Sequence, residues 1–139
     1  MSMIEVYTDG GASPNPGEGG LGILLLCDKH RLEIWEYYKD ATNNFLELTA
    51  ILHALQHIKK KNIPTRVYSD SAYSINVITG VKTARKNKEL VDAIKLEMSK
   101  FDDIKIVKVL AHAGNEYNEY VDHLCHLARD TKANGEKRY

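Results

Sequence analysis

Several things are scarce in this sequence, and each scarcity excludes something. Cysteine appears only twice, as Cys27 and Cys125. The two lie far apart and make no metal-ligand spacing, so no disulfide framework is expected and a reducing, cytoplasmic setting is. No apolar run approaches the ~20 residues that span a bilayer, so no membrane partner is expected. The N-terminal Met-Ser-Met-Ile-Glu lacks a basic segment leading into an apolar one, the mark of a secretory signal. Charge of one sign is also missing: 19 Lys and Arg balance 19 Asp and Glu, for a formal net charge of zero. That argues against a protein held to nucleic acid by its overall field, while leaving room for local patches. Proline appears three times, and Pro14 and Pro16 fall within one loop. There is no internal repeat and no low-complexity segment.

What is present reads as one folded domain. The chain has 139 residues, 43% hydrophobic and 27% charged, enough for a single core. The expected domain covers residues 1–128, with a polar tail at 129–139. Alternating stretches at 3–8, 20–27 and 31–38 predict three strands of an antiparallel meander. The period then changes. Leu48, Ile51, Leu52, Leu55 and Ile58 fall at helical spacing over 44–60, and Asn62-Ile63-Pro64 breaks the run. A short strand at 66–69 is followed by a helix over 71–78, a basic connector at 82–88 and a helix over 90–101. A fifth strand covers 104–110, and Val121, Leu124, Cys125 and Ala128 stripe a last helix. The order is βββαβααβα. Helical crossovers make strands 1, 4 and 5 parallel, so the predicted fold is α/β, with a five-stranded mixed sheet flanked by helices.

Four acids stand out against this frame. The stretch 6–22 reads VYTDGGASPNPGEGGLG, and Asp9 ends its first strand. Asp70 ends strand 4, a predicted neighbour of strand 1. Glu47 lies in the first turn of the first helix, and Asp122 near the start of the last. Taken singly, each has a structural explanation: Asp70 as a helix cap, Glu47 with Asn44 as a capping box, Asp122 as a solvated acid. Taken together they converge at the carboxyl ends of the parallel strands, where α/β sheets collect ligands. Converging carboxylates repel unless protonated or neutralised, and hard divalent cations with oxygen ligands are the usual neutralisers, Mg²⁺ foremost and Mn²⁺ next. Two such ions ~3.5–4 Å apart clamp the attacking and leaving oxygens of a phosphodiester. No cysteine or histidine cluster offers a zinc site instead.

The segments YTDGGASPNPGEGGLG, TNNFLEL, YSDSAYSINVI and AHAGNEYNEYVDHL resemble, in order and over nearly the whole chain, the successive motifs of type 1 ribonuclease H. The resemblance implies a ribonuclease H-like fold and an endonuclease, acting as a monomer, that cuts the RNA strand of RNA–DNA hybrids with two Mg²⁺ ions. It makes Asp9, Glu47, Asp70 and Asp122 the metal-binding carboxylates, and His112 a loop histidine that assists proton transfer or product departure. It places Gly11 and Ala12 where backbone groups read the RNA 2′-hydroxyls, which separate RNA from DNA. Asn15 and Asn43 would reach the minor groove, Thr42 and Asn44 would hold a DNA-strand phosphate, Ser71 would touch substrate, and Glu119 would be an auxiliary acid. The sequence departs from the family in three places. Residues 81–87 stand where many members carry a long protrusion rich in Trp and Lys, Ala72 replaces a longer polar residue, and Phe45 stands where Arg is frequent. Two rival readings change the reaction or remove it: a ribonuclease H-like nuclease acting on DNA, and a non-catalytic nucleic-acid-binding module.

Overall fold

The alternation along residues 4–41 folds as the expected meander. A computed structural model describes residues 2–110 and 114–139. Strands β1 (Ile4–Ala12), β2 (Gly17–Cys27) and β3 (His30–Ala41) pair antiparallel. Helix α1 (Asn43–His57) leads to β4 (Thr65–Ser69), then α2 (Ala72–Thr79) and α3 (Lys88–Met98) lead to β5 (Ile104–Lys108). Helix α4 (Glu116–Thr131) and a last strand, β6 (Gly135–Arg138), complete the chain. The sheet order is β5-β4-β1-β2-β3-β6, with β1, β4 and β5 parallel.

Two cores fill the two faces of the sheet. On one, Val6, Leu21, Ile23 and Val67 pack against Leu48, Ile51 and Leu55 of α1 and Ile94 of α3. On the other, Tyr7 and Leu24 pack against Val121 and Leu124 of α4. The central strands β1 and β2 are buried in continuous runs because both faces of the sheet are covered, and full burial of each Leu or Ile contributes ~1.5–3 kcal/mol. Among the described residues no helix is long and apolar enough to cross a membrane.

Three expectations are corrected. The sheet has six strands, not five: residues 129–139 are not a frayed polar tail but finish α4 and add β6 antiparallel to β3. Gly135 makes this pairing close, because any side chain there would collide with the Trp35 ring. Second, β1 does not stop at Asp9 but runs to Ala12, pairing Gly10 with Leu21 and Gly11 with Gly20. The true turn is residues 13–16. Third, α1 begins at Asn43 with Thr42 as its cap, not at Asn44, and ends at His57, leaving the lysines 59–61 outside it.

Candidate active site

Strand pairing decides where the acids meet. β1 and β4 run parallel with Tyr7 opposite Tyr68, so Asp9 and Asp70 lie two residues further on along neighbouring chains. Glycines then bring the helices in. A Cβ on Gly10 would lie 2.6 Å from the Leu46 carbonyl carbon and 2.8 Å from the Glu47 nitrogen. The first turns of α1 therefore rest directly on β1 and deliver Glu47 beside Asp9. On the opposite face, Gly20 and Gly22 let the backbone of α4 at Cys125 and Val121 touch β2, which brings Asp122 to the same end. Close approach of this kind is open only to glycine.

Asp9, Glu47 and Asp70 each offer a carboxylate oxygen within 4.8 Å of the others. With Gly10, Gly11, Asn118, Glu119 and Asp122 they line a cleft of about 190 Å³. The structural roles available to these acids are taken by other residues. Ser71 caps α2, accepting from the Ser74 N–H at 3.1 Å, which leaves Asp70 free. Thr42 caps α1, accepting from the Phe45 N–H at 3.2 Å, so Glu47 is not part of a capping box with Asn44. Asp122 stands further out: its side chain is 40% exposed and lies 3.6 Å from His126 Nε2.

The electrostatics follow from burial without counter-charge. Burial first, then the charges of Asp70 and Asp122, push the Asp9 pKa up to about 8. Burial, then Asp9 and Asp70, push Glu47 well above the ordinary carboxylate range. Glu47 Oε1 is buried with no hydrogen-bond partner. No basic side chain lines the cleft among the described residues. Such a site must hold protons or take up a cation, and its all-oxygen donor set suits a hard divalent ion.

The residues expected to meet substrate gather around the turn at 13–16. Asn43 Oδ1 accepts from the Ala12 N–H at 2.7 Å, and Asn15 Oδ1 accepts from the Asn43 N–H at 3.0 Å. These bonds tie the β1–β2 turn to the start of α1 and leave both amide NH₂ groups free of those contacts. They also occupy the Ala12 N–H, so only its carbonyl remains for a ligand. Thr42 and Asn44 are exposed at the N-terminus of α1. The Ser71 hydroxyl is engaged within α2, where it donates to Ser74 Oγ at 2.9 Å. Glu119 is exposed at the rim of the acid cleft. His112 lies outside the described residues. Phe45 packs edge-on against Tyr38, ring centroids 5.9 Å apart. One lining residue escaped the sequence reading. Asn118 sits four residues before Asp122 and beside Glu119, and only its place in the first turn of α4 could have flagged it.

Comparison with known proteins agrees with this geometry. The RNase H family model matches residues 1–130. Ribonuclease H of Clostridium botulinum is 37% identical, the match covering 94% of this chain and 97% of that protein. Ribonuclease H of Acetivibrio thermocellus is 37% identical, covering 89% and 92%. Among solved structures, LC11-RNase H1 in complex with an RNA/DNA hybrid superposes with a TM-score of 0.78 at 27% identity, covering 93% of this chain and 98% of that one. RNase H1 from Halobacterium salinarum shares the fold at a TM-score of 0.79 and 23% identity, covering 93% and 98%.

Proposed function

The chain belongs to the ribonuclease H family, and from that premise we propose that it is a metal-dependent endonuclease that hydrolyses the RNA strand of RNA–DNA hybrids and leaves a 5′-phosphate. The observation that carries the reading is the trio Asp9, Glu47 and Asp70, whose oxygens converge within 4.8 Å in a cleft that no basic side chain lines among the described residues. A hybrid bound to a structural relative supports the substrate class.

The donor set fits divalent ions: it is all oxygen, and Glu47 Oε1 is an orphaned buried acceptor. Asp9, Glu47, Asp70 and Asp122 would hold the ions, Mg²⁺ with Mn²⁺ as the alternative. Two bound ions would supply charge neutralisation at the attacking and leaving oxygens of the phosphodiester. The raised pKa values of Asp9 and Glu47 favour the protonated form of both acids, which a bound cation would counter. Glu119, at the rim, is the auxiliary acid, and His112 assists proton transfer or product departure. Gly11 and the Ala12 carbonyl approach the RNA 2′-hydroxyls, where little side-chain bulk intervenes. Asn15 and Asn43, already fixed by their oxygens, present amide donors to the minor groove. Thr42 and Asn44 lie at a helix N-terminus, which favours a DNA-strand phosphate, and Ser71 positions the chain after Asp70. The chain acts as a monomer in a reducing cytoplasm, in keeping with its two free cysteines.

A cleavage assay tests this. Hybrid, duplex DNA, duplex RNA and single-stranded RNA are each incubated with Mg²⁺ or with chelator. Only the RNA strand of the hybrid should be cut, and only with metal. Cutting of duplex DNA at a comparable rate would move the protein to a DNA nuclease, and binding without cleavage to a non-catalytic module.

A further inference from the structure

Among the described residues the acid cleft is lined by one uncharged polar side chain, and its oxygen has no partner. Asn118 is the third residue of α4, and its backbone N–H donates to the capping Asn115 Oδ1 at 3.0 Å. The residue is only 4% exposed, and its Oδ1 is buried without a hydrogen bond. Buried carboxamide oxygens are nearly always satisfied, so an orphan calls for an explanation. The other side chains lining the cleft are Asp9, Glu47, Asp70, Glu119 and Asp122. Ionised carboxylates only accept, so among the described lining side chains none can donate to Oδ1 once the acids are ionised. A second orphan, Glu47 Oε1, belongs to another residue that lines the same cleft, carried by α1 on the opposite face of the sheet. A packing role for Asn118 would be served as well by an apolar side chain and accounts for neither oxygen.

We infer that Asn118 is a further ligand of the cation shell, its carboxamide oxygen serving as a neutral donor beside the carboxylates. Asparagine carbonyls are ordinary ligands of hard divalent ions. A neutral oxygen adds to the shell without adding negative charge to acids that already repel one another. The inference rests on the metal-dependent reading above and goes beyond it in naming a residue outside the four acids.

The test is calorimetric titration of Mg²⁺ and Mn²⁺ into the full chain without nucleic acid, with thermal unfolding measured in chelator. Asn118→Leu keeps approximate shape and removes the oxygen, whereas Asn118→Asp keeps the oxygen and adds charge. Asn118→Leu should bind ~10-fold more weakly or worse, the size of effect seen when a supporting group of a metal site is lost, with its metal-free melting temperature unchanged or raised. Asn118→Asp should bind more tightly, by about threefold or more, since ligand charge sets affinity, with a lower metal-free melting temperature. A wild-type dissociation constant in either variant overturns the inference. If Asn118→Leu does not fold, Asn118→Asp decides alone, and equal or weaker binding overturns it. A wild-type chain that takes up neither ion would instead overturn the metal reading itself.

Discussion

Two buried carboxylates on the same sheet have opposite surroundings. Glu33, on β3, is 2% exposed. Burial pulls its pKa upward, but Tyr120 donates to Oε1 at 2.6 Å and Arg31 to Oε2 at 2.9 Å, and these bonds hold it below the usual value. Arg31 in turn lies over the rings of Tyr120 and Tyr139. Asp9, on β1, is 9% exposed; burial, then the charges of Asp70 and Asp122, outweigh a hydrogen bond from the Gly10 backbone and raise its pKa to about 8. A buried acid with its donors in place is a structural fixture that staples α4 and the C-terminus to β3. A buried acid without them is costly to the fold and is a candidate for function.

The comparison breaks most visibly in activity. Asp9→Asn or Asp70→Asn removes a proposed cation ligand, and the loss of several kcal/mol of transition-state stabilisation should lower hybrid hydrolysis by about 10³-fold or more. The melting temperature in chelator should be unchanged or higher, because the substitution relieves repulsion. Glu33→Gln should reverse the pattern: activity within about threefold of wild type, but stability lower by about 2 kcal/mol, as expected when a charged group loses its hydrogen bonds. Denaturant unfolding and single-turnover cleavage of the same preparations decide it. Near-wild-type cleavage by Asp70→Asn would dissolve the distinction.

A smaller effect, opposite in sign at the two acids, appears against pH. The folded pKa of Asp9 is raised, so its contribution is favourable below the unfolded pKa of ~4 and is lost as pH rises towards about 8. Glu33 is lowered, so its contribution is present above ~4 and is lost only as pH falls through the folded value. In chelator, wild type minus Asp9→Asn should therefore lose stability between pH 5 and 8, while wild type minus Glu33→Gln should stay flat there and fall under acid conditions. Mg²⁺ should offset the first loss, most strongly at the alkaline end. Parallel profiles for the two difference curves would show that the acids do not differ as described.

The unsatisfied acids were readable in the sequence and the satisfied one was not. Glu47 and Asp70 fall where a helix begins or a strand ends, and Asp9 falls where an apolar run meets glycines, so local pattern marks all three although β1 runs on past Asp9 to Ala12. Glu33 sits mid-strand, and its partner Tyr120 is 87 residues away. β6 was missed for the same reason: four polar residues carry no alternation of their own, and their pairing depends on Trp35 and on the Tyr139 N–H reaching the Arg31 carbonyl at 2.9 Å. Gly20 and Gly22 fall in the predicted strand 20–27, but composition does not show that a helix rests on that strand at these glycines. Asn118 carries no sequence signal beyond a helix's first turn, where Asn is commonplace, and only the orphaned oxygen marks it.

The smallest effect concerns cations, and it sharpens the same distinction between paired and unpaired groups. Lys82, Arg85 and Lys86 lie in the connector between α2 and α3, Lys88 opens α3, and all four are exposed. The connector is pinned rather than loose: Ala84 is buried, and the Lys82 N–H donates to the Asn76 carbonyl at 3.0 Å. Lys88 is paired with Asp92 at 2.8 Å, which leaves Lys82, Arg85 and Lys86 to meet phosphates. Each phosphate neutralised adds ~0.9 to the log–log salt slope on B-form DNA, so with zero net charge the slope for a hybrid should be shallow, on the order of two to four contacts. Replacing Lys82, Arg85 and Lys86 with Ala should raise KM and flatten that slope. Lys88→Ala should move it least. Turnover should hold, because groups away from the carboxylates bind ground and transition states alike. Steady-state kinetics across a salt series measure both quantities, and a slope that does not move in the triple variant would make the connector a solvated link with no part in substrate grip.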